Sequence, residues 1–303
     1  MELRQLRHFE EIVAAASFGQ AADRLHITQP ALSKSIRNLE QSLGVQLLER
    51  HPSGVTLTDY GRVFLDYAAL INAELARAVE HLAEMRGSGS GVVRVGAGGT
   101  MMKYLMPETV KRFLTGAEKH SLVFAQGLRA ELAARLRRGE IDVMIGSADT
   151  TEGDEDFRSE PVFEDAIGVV ADAGHPLAGR TATIEELARC RWILPDNAEA
   201  EGARLVRAFR RARLDGPDVA VRVASSHFMS QWLRGSEFLS YLPMALIAQS
   251  PDYAHLTVIR TEAAIWPPVP VAVYYRRRGV MLQSTRRFIN RLKEVGAELQ
   301  TGQ

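Results

Sequence analysis

Residues 17–40 constrain the fold of this 303-residue chain more than any other stretch, because their pattern fixes two short helices and the turn between them. Ser17 and Gln20 have the spacing of a capping box, in which each side chain bonds the backbone N–H of the other residue. Thr28 is placed to cap the next helix, and Pro30 in its first turn sacrifices no helical hydrogen bond. The stretch therefore predicts a helix-turn-helix.

The second helix of this pair has two distinct faces. Apolar residues at spacings of four, three and four predict one buried stripe, formed by Leu32, Ile36, Leu39 and Leu43. The opposite face carries Gln29, Ser33, Lys34 and Arg37. Any surface helix shows a polar face of this kind. The order of caps, short turn and basic face favours a recognition helix, whose N-terminal residues contact base edges in the DNA major groove.

Residues 9–50 resemble the winged helix-turn-helix of LysR-type bacterial transcription regulators, most clearly in SFGQAADRLHITQPALSKSIRNLEQSLGVQLLER. Further along the chain, LRRGEIDVMIG and AGHPL are similar to the same family. The resemblance implies a regulator that binds double-stranded promoter DNA as a homodimer or a dimer of dimers. It also implies RNA polymerase as a further partner and a small-molecule effector.

A turn at residues 51–54 between two short apolar runs predicts a hairpin, the wing of the domain. Arg50 at its base is placed for phosphate contact, whereas Pro52 and Ser53 make the tip less basic than in many family members. We predict groove and base-edge contacts for Gln29, Pro30, Ser33 and Arg37. We predict phosphate contacts for Thr28, Lys34 and Arg50.

Composition limits the class of protein. The chain has 37 basic and 37 acidic residues, so DNA binding depends on where the cations lie and not on their total. The single cysteine, Cys190, excludes an intramolecular disulfide and suits a reducing compartment. The sequence shows neither a leader peptide nor an apolar run of the ~20 residues that cross a bilayer. We expect a soluble cytoplasmic protein with no membrane partner.

Residues 59–86 predict one long helix with a coiled-coil seam. A helix lying on the core of its own domain would show a similar stripe. We favour dimerisation because the helix follows the DNA-reading module and ends at the flexible linker 87–91; in the resembling family these helices pair antiparallel. The seam consists of Phe64, Ala68, Ile71, Leu75, Ala78, Leu82 and Met85.

From residue 92 onwards strands alternate with helices, which predicts parallel sheets flanked by helices. We expect two α/β lobes joined by crossing segments at 157–165 and 261–273, with a cleft between them. The family resemblance implies the same arrangement, a two-lobed effector domain similar to type 2 periplasmic binding proteins. The fold class is thus α/β multi-domain. Its predicted parts are a winged helix-turn-helix at 1–58, a linker helix and hinge at 59–91, and an effector domain at 92–303, with lobe I at 92–162 and 267–303 and lobe II at 163–266.

A glycine-rich turn, GAGGTM, follows the first predicted strand of that region. Met101 stands where a dinucleotide fingerprint needs glycine or alanine, so a nucleotide site is rejected. We predict instead that Gly99, Thr100 and Met101, at the start of a helix, bind a small anion or polar group. The alternative is a turn that only packs. In the resembling family, the position of Thr100 commonly touches the inducer.

Ligands of α/β proteins bind beyond the carboxyl ends of the strands. This rule nominates six further effector-binding residues, which are Gln126, Ser147, Pro195, Asn197, Ser225 and Ser226. Each could be an ordinary loop residue, but together they favour a binding cleft. We expect an organic acid or a sugar derivative, with a lean towards catabolic genes from the segments VRVGAGGT and LMP.

No catalytic constellation is evident. Ser226 and His227 are adjacent, but they lack a nucleophile elbow and an orienting carboxylate. The histidines show no metal-ligand spacing, and the acidic run at 152–156 is typical of a solvated turn. The basic run at 276–278 could contact DNA, but we favour a solvated cap after a strand. We therefore expect no enzyme activity, metal or cofactor. Two alternatives remain: a solute-binding protein, which leaves residues 1–60 without a role, and an enzyme that uses the cleft.

Overall fold

The computed structural model describes residues 1–86, 91–115, 120–148, 155–196 and 199–301. The chain forms two compact units: Met1–Gly91 with Ala133–Asp142, and Val92–Leu132 with Val143–Gln303. Most of the predicted glycine-serine linker, most of the acidic run at 152–156, and Asn197 lie outside the described residues.

Three short helices form the N-terminal part of the first unit. The Ser17 hydroxyl accepts a hydrogen bond from the Gln20 N–H, and the Thr28 hydroxyl accepts one from the Ala31 N–H, each at 3.4 Å. A complete capping box is recorded one helix earlier, between Glu2 and Gln5. The helices are α1 (Leu3–Ala15), α2 (Phe18–Arg24) and α3 (Gln29–Leu43).

The apolar stripe of α3 packs into the core that the three helices form. Leu32, Ile36 and Leu39 are buried, whereas Leu43 at the end of the helix is half-buried. Phe9 of α1 is also fully buried in the same cluster. The period predicted from the sequence thus orients α3 and leaves its polar face outward.

The wing is a two-stranded antiparallel hairpin of β1 (Leu48–His51) and β2 (Gly54–Leu57). Gly54 has a φ of +135°, and a Cβ there would lie 2.7 Å from the Ala16 carbonyl oxygen. The next residue, Val55, donates its N–H to that same oxygen at 3.0 Å. Only glycine fits this approach, which fixes the wing against the end of α1.

The long helix α4 (Asp59–Met85) begins against the wing. Thr58 caps it by accepting from the Gly61 N–H at 3.0 Å. A Cβ at Gly61 would lie 2.0 Å from the Leu47 carbonyl oxygen, so glycine permits close approach of the helix to the chain before β1.

A five-stranded sheet forms the first half of the second unit, in the order β4-β3-β5-β13-β6. Strands β4, β3 and β5 are parallel, and β13 is antiparallel to both of its neighbours. The strands are β3 (Val92–Ala97), β4 (Ser121–Gln126), β5 (Val143–Ser147), β6 (Phe157–Asp165) and β13 (Val269–Arg276).

A six-stranded sheet forms the other half, in the order β10-β9-β11-β7-β12-β8. Strands β10, β9 and β11 are parallel, β7 is antiparallel to β11 and β12, and β8 is parallel to β12. The strands are β7 (Ile167–Asp172), β8 (Thr181–Ala182), β9 (Arg191–Pro195), β10 (Asp218–Val223), β11 (Phe238–Pro243) and β12 (Leu256–Thr261).

Eight α-helices and a 3₁₀ helix (Pro251–Tyr253) accompany these sheets in the described residues. The α-helices are α5 (Met101–Tyr104), α6 (Met106–Leu114), α7 (Arg129–Arg137), α8 (Ile184–Ala188), α9 (Glu199–Arg211), α10 (Ser226–Leu233), α11 (Met244–Gln249) and α12 (Gln283–Thr301). In the part of the chain that the structure describes, no helix is both long and apolar enough to cross a membrane.

The two sheets are mixed, which differs from the parallel sheets predicted. A parallel pair needs a crossover of a dozen or more residues, and the helices supply it between β3, β4 and β5. The crossing segments instead are strands: β6 spans 157–165, and β13 returns from the second sheet to pair antiparallel with it. Strand β12 and helix α11 have no counterpart in the sequence prediction.

Candidate nucleic-acid interface and ligand cavity

The polar face of α3 is open to solvent. Gln29, Pro30, Lys34 and Arg37 are exposed, and Ser33 is half-buried among them. Thr28 is exposed as well, although its hydroxyl already caps the helix. The residues predicted to contact DNA on α3 thus share one accessible surface, and their contact with DNA stays a prediction.

Arg50 in β1 is exposed and stacks on the first residue of α2. Its guanidinium carbon lies 3.9 Å from the ring centroid of Phe18, within the range of a cation–π contact. This contact limits the positions of the charge and holds it beside the helix-turn-helix. An arginine held in this way suits a phosphate oxygen.

Ion pairing explains how a domain with balanced charge can present a basic surface. Arg24 pairs with Glu11 at 3.1 Å, and Arg4 pairs with Glu2 at 2.8 Å. Neither Lys34 nor Arg37 forms an ion pair with any residue that the structure describes. The two cations on the polar face of α3 therefore keep their charge available to a polyanion.

The exposed apolar stripe of α4 differs at its start from the predicted seam. Ala68 is buried in the N-terminal core and is not available to a second chain. Phe64 is half-buried, and its ring lies 5.4 Å from the ring of Phe9 in that core. Contact with α1 buries this face of the first turns. The exposed positions are Tyr60, Val63, Tyr67, Ile71, Leu75, Ala78, Val79, Leu82 and Met85.

Arg77 is a buried cation in the middle of α4, which the sequence pattern did not reveal. One guanidinium nitrogen lies 2.7 Å from an oxygen of Asp142 and donates to the carbonyl oxygens of Gly139 and Ile141. The other donates to Glu74 at 3.0 Å. These bonds tie α4 to residues 139–142 of the same unit.

A cavity of about 270 Å³ lies in the second unit, at the ends of strands from both sheets. The loops after β3, β4 and β10 and the last residues of β5 and β9 line it, at the strand ends where the rule places a ligand. Among the predicted effector-binding residues, its wall includes Gly99, Thr100, Met101, Ser147, Pro195 and Ser226. Their binding of an effector stays a prediction.

Two predicted residues lie outside the wall of the cavity. Gln126 is exposed, and its side-chain nitrogen lies against Gly99, 2.9 Å from where a Cβ would stand. Ser225 caps α10 by accepting from the Phe228 N–H at 3.2 Å. The helix that follows Thr100, α5, has only four residues, and Thr100 makes no side-chain cap. Binding of an anion at this turn stays a prediction.

Three polar residues that sequence reasoning missed line the same cavity. Arg129 donates from Nη1 to the Ser147 carbonyl oxygen at 2.7 Å, and the Tyr104 hydroxyl donates to Asp165 at 2.5 Å. Burial, and then the charge of Asp165, raise the pKa of Tyr104 well above its ordinary value. Arg129 follows β4 by three residues, so the strand-end rule could have found it. Asp165 ends a segment that was expected only to cross between lobes.

A second cluster of hydrogen-bonded side chains lies beside the cavity and connects α5 with α10. The Lys103 ammonium on α5 donates to the Ser226 hydroxyl at 3.1 Å and to the Tyr253 hydroxyl at 2.9 Å. The Tyr253 hydroxyl in turn donates to Ser226 at 3.1 Å. Because Ser226 also lines the cavity, these bonds hold one of its walls in place.

Comparison with known protein families covers almost the whole chain. Residues 3–62 match the bacterial regulatory helix-turn-helix protein of the lysR family, and residues 86–297 match the LysR substrate binding domain. The chain belongs to the LysR family of transcriptional regulators. The resemblance found in the sequence, and the α/β multi-domain fold that it implies, are thereby confirmed.

Individual LysR-type proteins are similar along most of this chain. The HTH-type transcriptional regulator PcaQ of Agrobacterium fabrum is 27% identical over 263 residues, covering 86% of this chain and 85% of PcaQ. An SDS degradation transcriptional activation protein of a Pseudomonas species is 27% identical over 264 residues, covering 85% and 84%. The structure of full-length CbnR complexed with its target DNA has a TM-score of 0.70 at 22% identity, covering 97% of this chain and 100% of CbnR.

Proposed function

We propose that this LysR-type regulator reads promoter DNA with α3 and Arg50, and that a small effector in the cavity of the second unit alters that reading. The observation that carries the proposal is the solvent-exposed face of α3, where Gln29, Lys34 and Arg37 are open and neither cation forms an ion pair with a residue that the structure describes. Gln29, Pro30, Ser33 and Arg37 would meet base edges and the groove. Thr28, Lys34 and Arg50 would meet phosphates.

The active form that we propose is a homodimer paired through α4, which further associates into a dimer of dimers. Exposed apolar residues along most of α4 support the first contact. For the second, Phe228 and Trp232 on α10 are each 45% exposed and stack 5.9 Å apart. Dimerisation would place two recognition helices on half-sites about one DNA turn apart. RNA polymerase would be a further partner at the promoter.

The division of labour that we propose follows three parts of the chain. Residues 1–58 would read DNA, 59–91 would join two protomers, and 92–303 would bind the effector, which we take to be an organic acid or a sugar derivative. The name of the Pseudomonas relative, an SDS degradation activator, supports a role in catabolic gene control. Such a regulator would act in the cytoplasm.

DNA binding is tested by gel shift with the region upstream of the protein's own gene, at graded salt concentrations. A regulator binds this DNA more tightly than random duplex, and its affinity falls as salt rises because phosphate-bound counterions are released. Equal, weak binding to both duplexes would contradict the proposal and favour a solute-binding protein.

Effector binding is tested by thermal-shift screening of carboxylates and sugars, since a ligand bound by the folded form alone raises its apparent stability. Stabilising compounds are then added to the gel shift. A compound that stabilises the protein but leaves DNA binding, DNA bending and promoter output unchanged would contradict the effector role. Turnover of the same compounds would instead support the enzyme alternative.

A further inference from the structure

We infer that the cavity selects an organic monoanion whose carboxylate is bound by Arg129 and whose opposite end donates a hydrogen bond to Asp165. The inference rests on the proposed effector function of the cavity and specifies the chemistry of the effector. It assigns an organic acid and not a sugar as the effector, a choice that the sequence left open.

The guanidinium of Arg129 has one nitrogen in use and one available to a ligand. Nη1 donates to the Ser147 carbonyl oxygen at 2.7 Å, whereas Nη2 is buried and has no hydrogen-bond partner in the described part of the chain. A buried charged donor without a partner is costly, and a carboxylate oxygen is the acceptor that best matches it. Because Arg129 lines the cavity, a ligand there can supply that oxygen.

Arg129 is also held in a fixed position before any ligand arrives. Its guanidinium carbon lies 5.0 Å from the centroid of the Tyr274 ring, and Nη1 lies so close to Gly146 that a Cβ there would stand 3.1 Å away. The Tyr274 hydroxyl donates to the same Ser147 carbonyl oxygen at 3.0 Å. A guanidinium held by these contacts loses little conformational freedom on binding, which favours affinity and specificity for a carboxylate.

The opposite end of the cavity has the reverse charge. Asp165 is buried and accepts the Tyr104 hydroxyl hydrogen, and Glu201 also lines the wall. An ionised carboxylate is only an acceptor, so it favours a hydroxyl or amino group on the ligand and repels a second carboxylate. The cavity thus favours an acid with one carboxylate and a hydrogen-bond donor over a dicarboxylate.

Strand register sets the distance between the two ends. Ser147 pairs with Val271 on one side of β13, and Asp165 pairs with Val269 on its other side. Two strand spacings and a two-residue offset along β13 separate the Cα atoms of Ser147 and Asp165 by roughly 12 Å. The wall between is mostly apolar and includes Ile145, Leu132, Met229, Leu242, Val269 and Val271. An aromatic or branched aliphatic body therefore suits the space between the polar ends.

The test uses the full-length protein and a panel of aromatic and aliphatic hydroxy acids, each with its primary amide and its dicarboxylate analogue. Dissociation constants are measured by calorimetry. We expect at least one hydroxy acid to bind, with its amide and its dicarboxylate analogue at least about tenfold weaker. Arg129→Gln should raise the dissociation constant of that acid at least about tenfold, and Arg129→Lys should restore part of the loss. Arg278→Gln, at an exposed arginine outside the cavity, should leave it unchanged.

Asp165→Asn tests the other end, and Asp165→Ser replaces it if the buried Asn variant does not fold, because both changes remove the carboxylate. Either change should reduce the preference for the hydroxy acid over the dicarboxylate. Amides that bind as tightly as acids, or an Arg129→Gln protein with unchanged affinity, would overturn the inference and leave the regulator role intact. If no panel compound binds but promoter DNA is still bound, the inference also fails. Loss of both activities in the unmodified protein would overturn the proposed function itself.

Discussion

The recognition helix and the ligand cavity are built in opposite ways. Every side chain predicted to face DNA on α3 comes from residues 28–37, a single capped helix with one period. The cavity wall instead draws on strands, helices and loops between residues 98 and 271, with Arg129 after β4 and Asp165 at the end of β6. A local surface can be read from a pattern of a few turns, whereas a cavity depends on distant pairings between strands.

The two regions also differ in the surroundings of their cationic side chains. Lys34 and Arg37 are exposed and form no ion pair within the described residues, so water solvates them until a polyanion replaces it. Arg129 is fixed by Ser147 and Tyr274, and its Nη2 is buried without a hydrogen-bond partner among the residues that the structure describes. Mobile, solvated cations suit a long polyanion of uniform charge. A fixed, desolvated cation suits one small anion.

We expect the largest effect from a mutation on the exposed apolar stripe of α4, where the proposed partner is a second copy of the chain. Val79→Glu places a carboxylate on the exposed stripe of α4, which would leave an uncompensated charge in a dimer contact. We expect dissociation to monomers in sedimentation experiments and a loss of about 100-fold in affinity for a two-half-site promoter, because the second half-site is no longer tethered. Val280→Glu is the matched control, since Val79 and Val280 are 63% and 60% exposed. An intact Val79→Glu dimer would show that α4 pairs elsewhere.

The next effect concerns the specificity of α3. Arg37→Ala should reduce the discrimination between cognate and random DNA by about 1–3 kcal/mol if this arginine contacts a guanine. Competition gel shifts with both duplexes give the value. Arg24→Ala is the control, because Arg24 is occupied by Glu11. Equal losses on the two duplexes would assign Arg37 to phosphate contact instead.

The third prediction concerns Arg50, which is expected to contact phosphate and not a base. Arg50→Ala should weaken binding to all sequences alike and reduce the slope of log affinity against log salt by about one, as expected for one lost phosphate contact. A thermal unfolding curve checks whether the lost stacking on Phe18 also destabilises the domain. A loss confined to cognate DNA would contradict the phosphate role.

The smallest effect lies in the effector region, away from the cavity. Partial burial alone would raise the pKa of Glu160, but hydrogen bonds from Lys293, Arg286 and Tyr275 outweigh it and lower that pKa from 4.5 to about 2. Glu160→Gln should therefore reduce the free energy of unfolding at neutral pH by about 1 kcal/mol, a value discounted for solvent screening.

The difference in free energy of unfolding between the Glu160→Gln variant and the unmodified protein should depend on pH. Because the folded pKa of Glu160 is the lower one, its contribution is full above pH 4.5 and disappears as the pH falls towards 2. Chemical denaturation of the two proteins should give curves that converge over this interval. Glu185→Gln, at an exposed glutamate, is the control. A difference that persists at pH 2 would assign the effect to packing.

Local chemistry made much of the fold predictable. The caps at Ser17 and Thr28 are hydrogen bonds between residues three apart, and the apolar stripe through Leu32 follows the helical period, so both can be read from a short stretch of sequence. The strand-end rule likewise nominated Ser147, Pro195 and Ser226, which lie on the cavity wall. In contrast, Gln126 has the right position in sequence but turns back on Gly99, a contact that depends on a neighbouring loop.

The sequence by itself determined the helix-turn-helix, the alternation of strands and helices, and the family. Only the tertiary structure decided that Phe64 and Ala68 face inward, that β13 runs antiparallel to β5 and β6, and that Arg129 and Asp165 share one cavity. The physical reason is the separation in sequence between the residues that interact. Caps and helical periods are set by neighbours three or four residues apart, whereas burial of a helix face and the meeting of two charges depend on chain segments brought together only by folding.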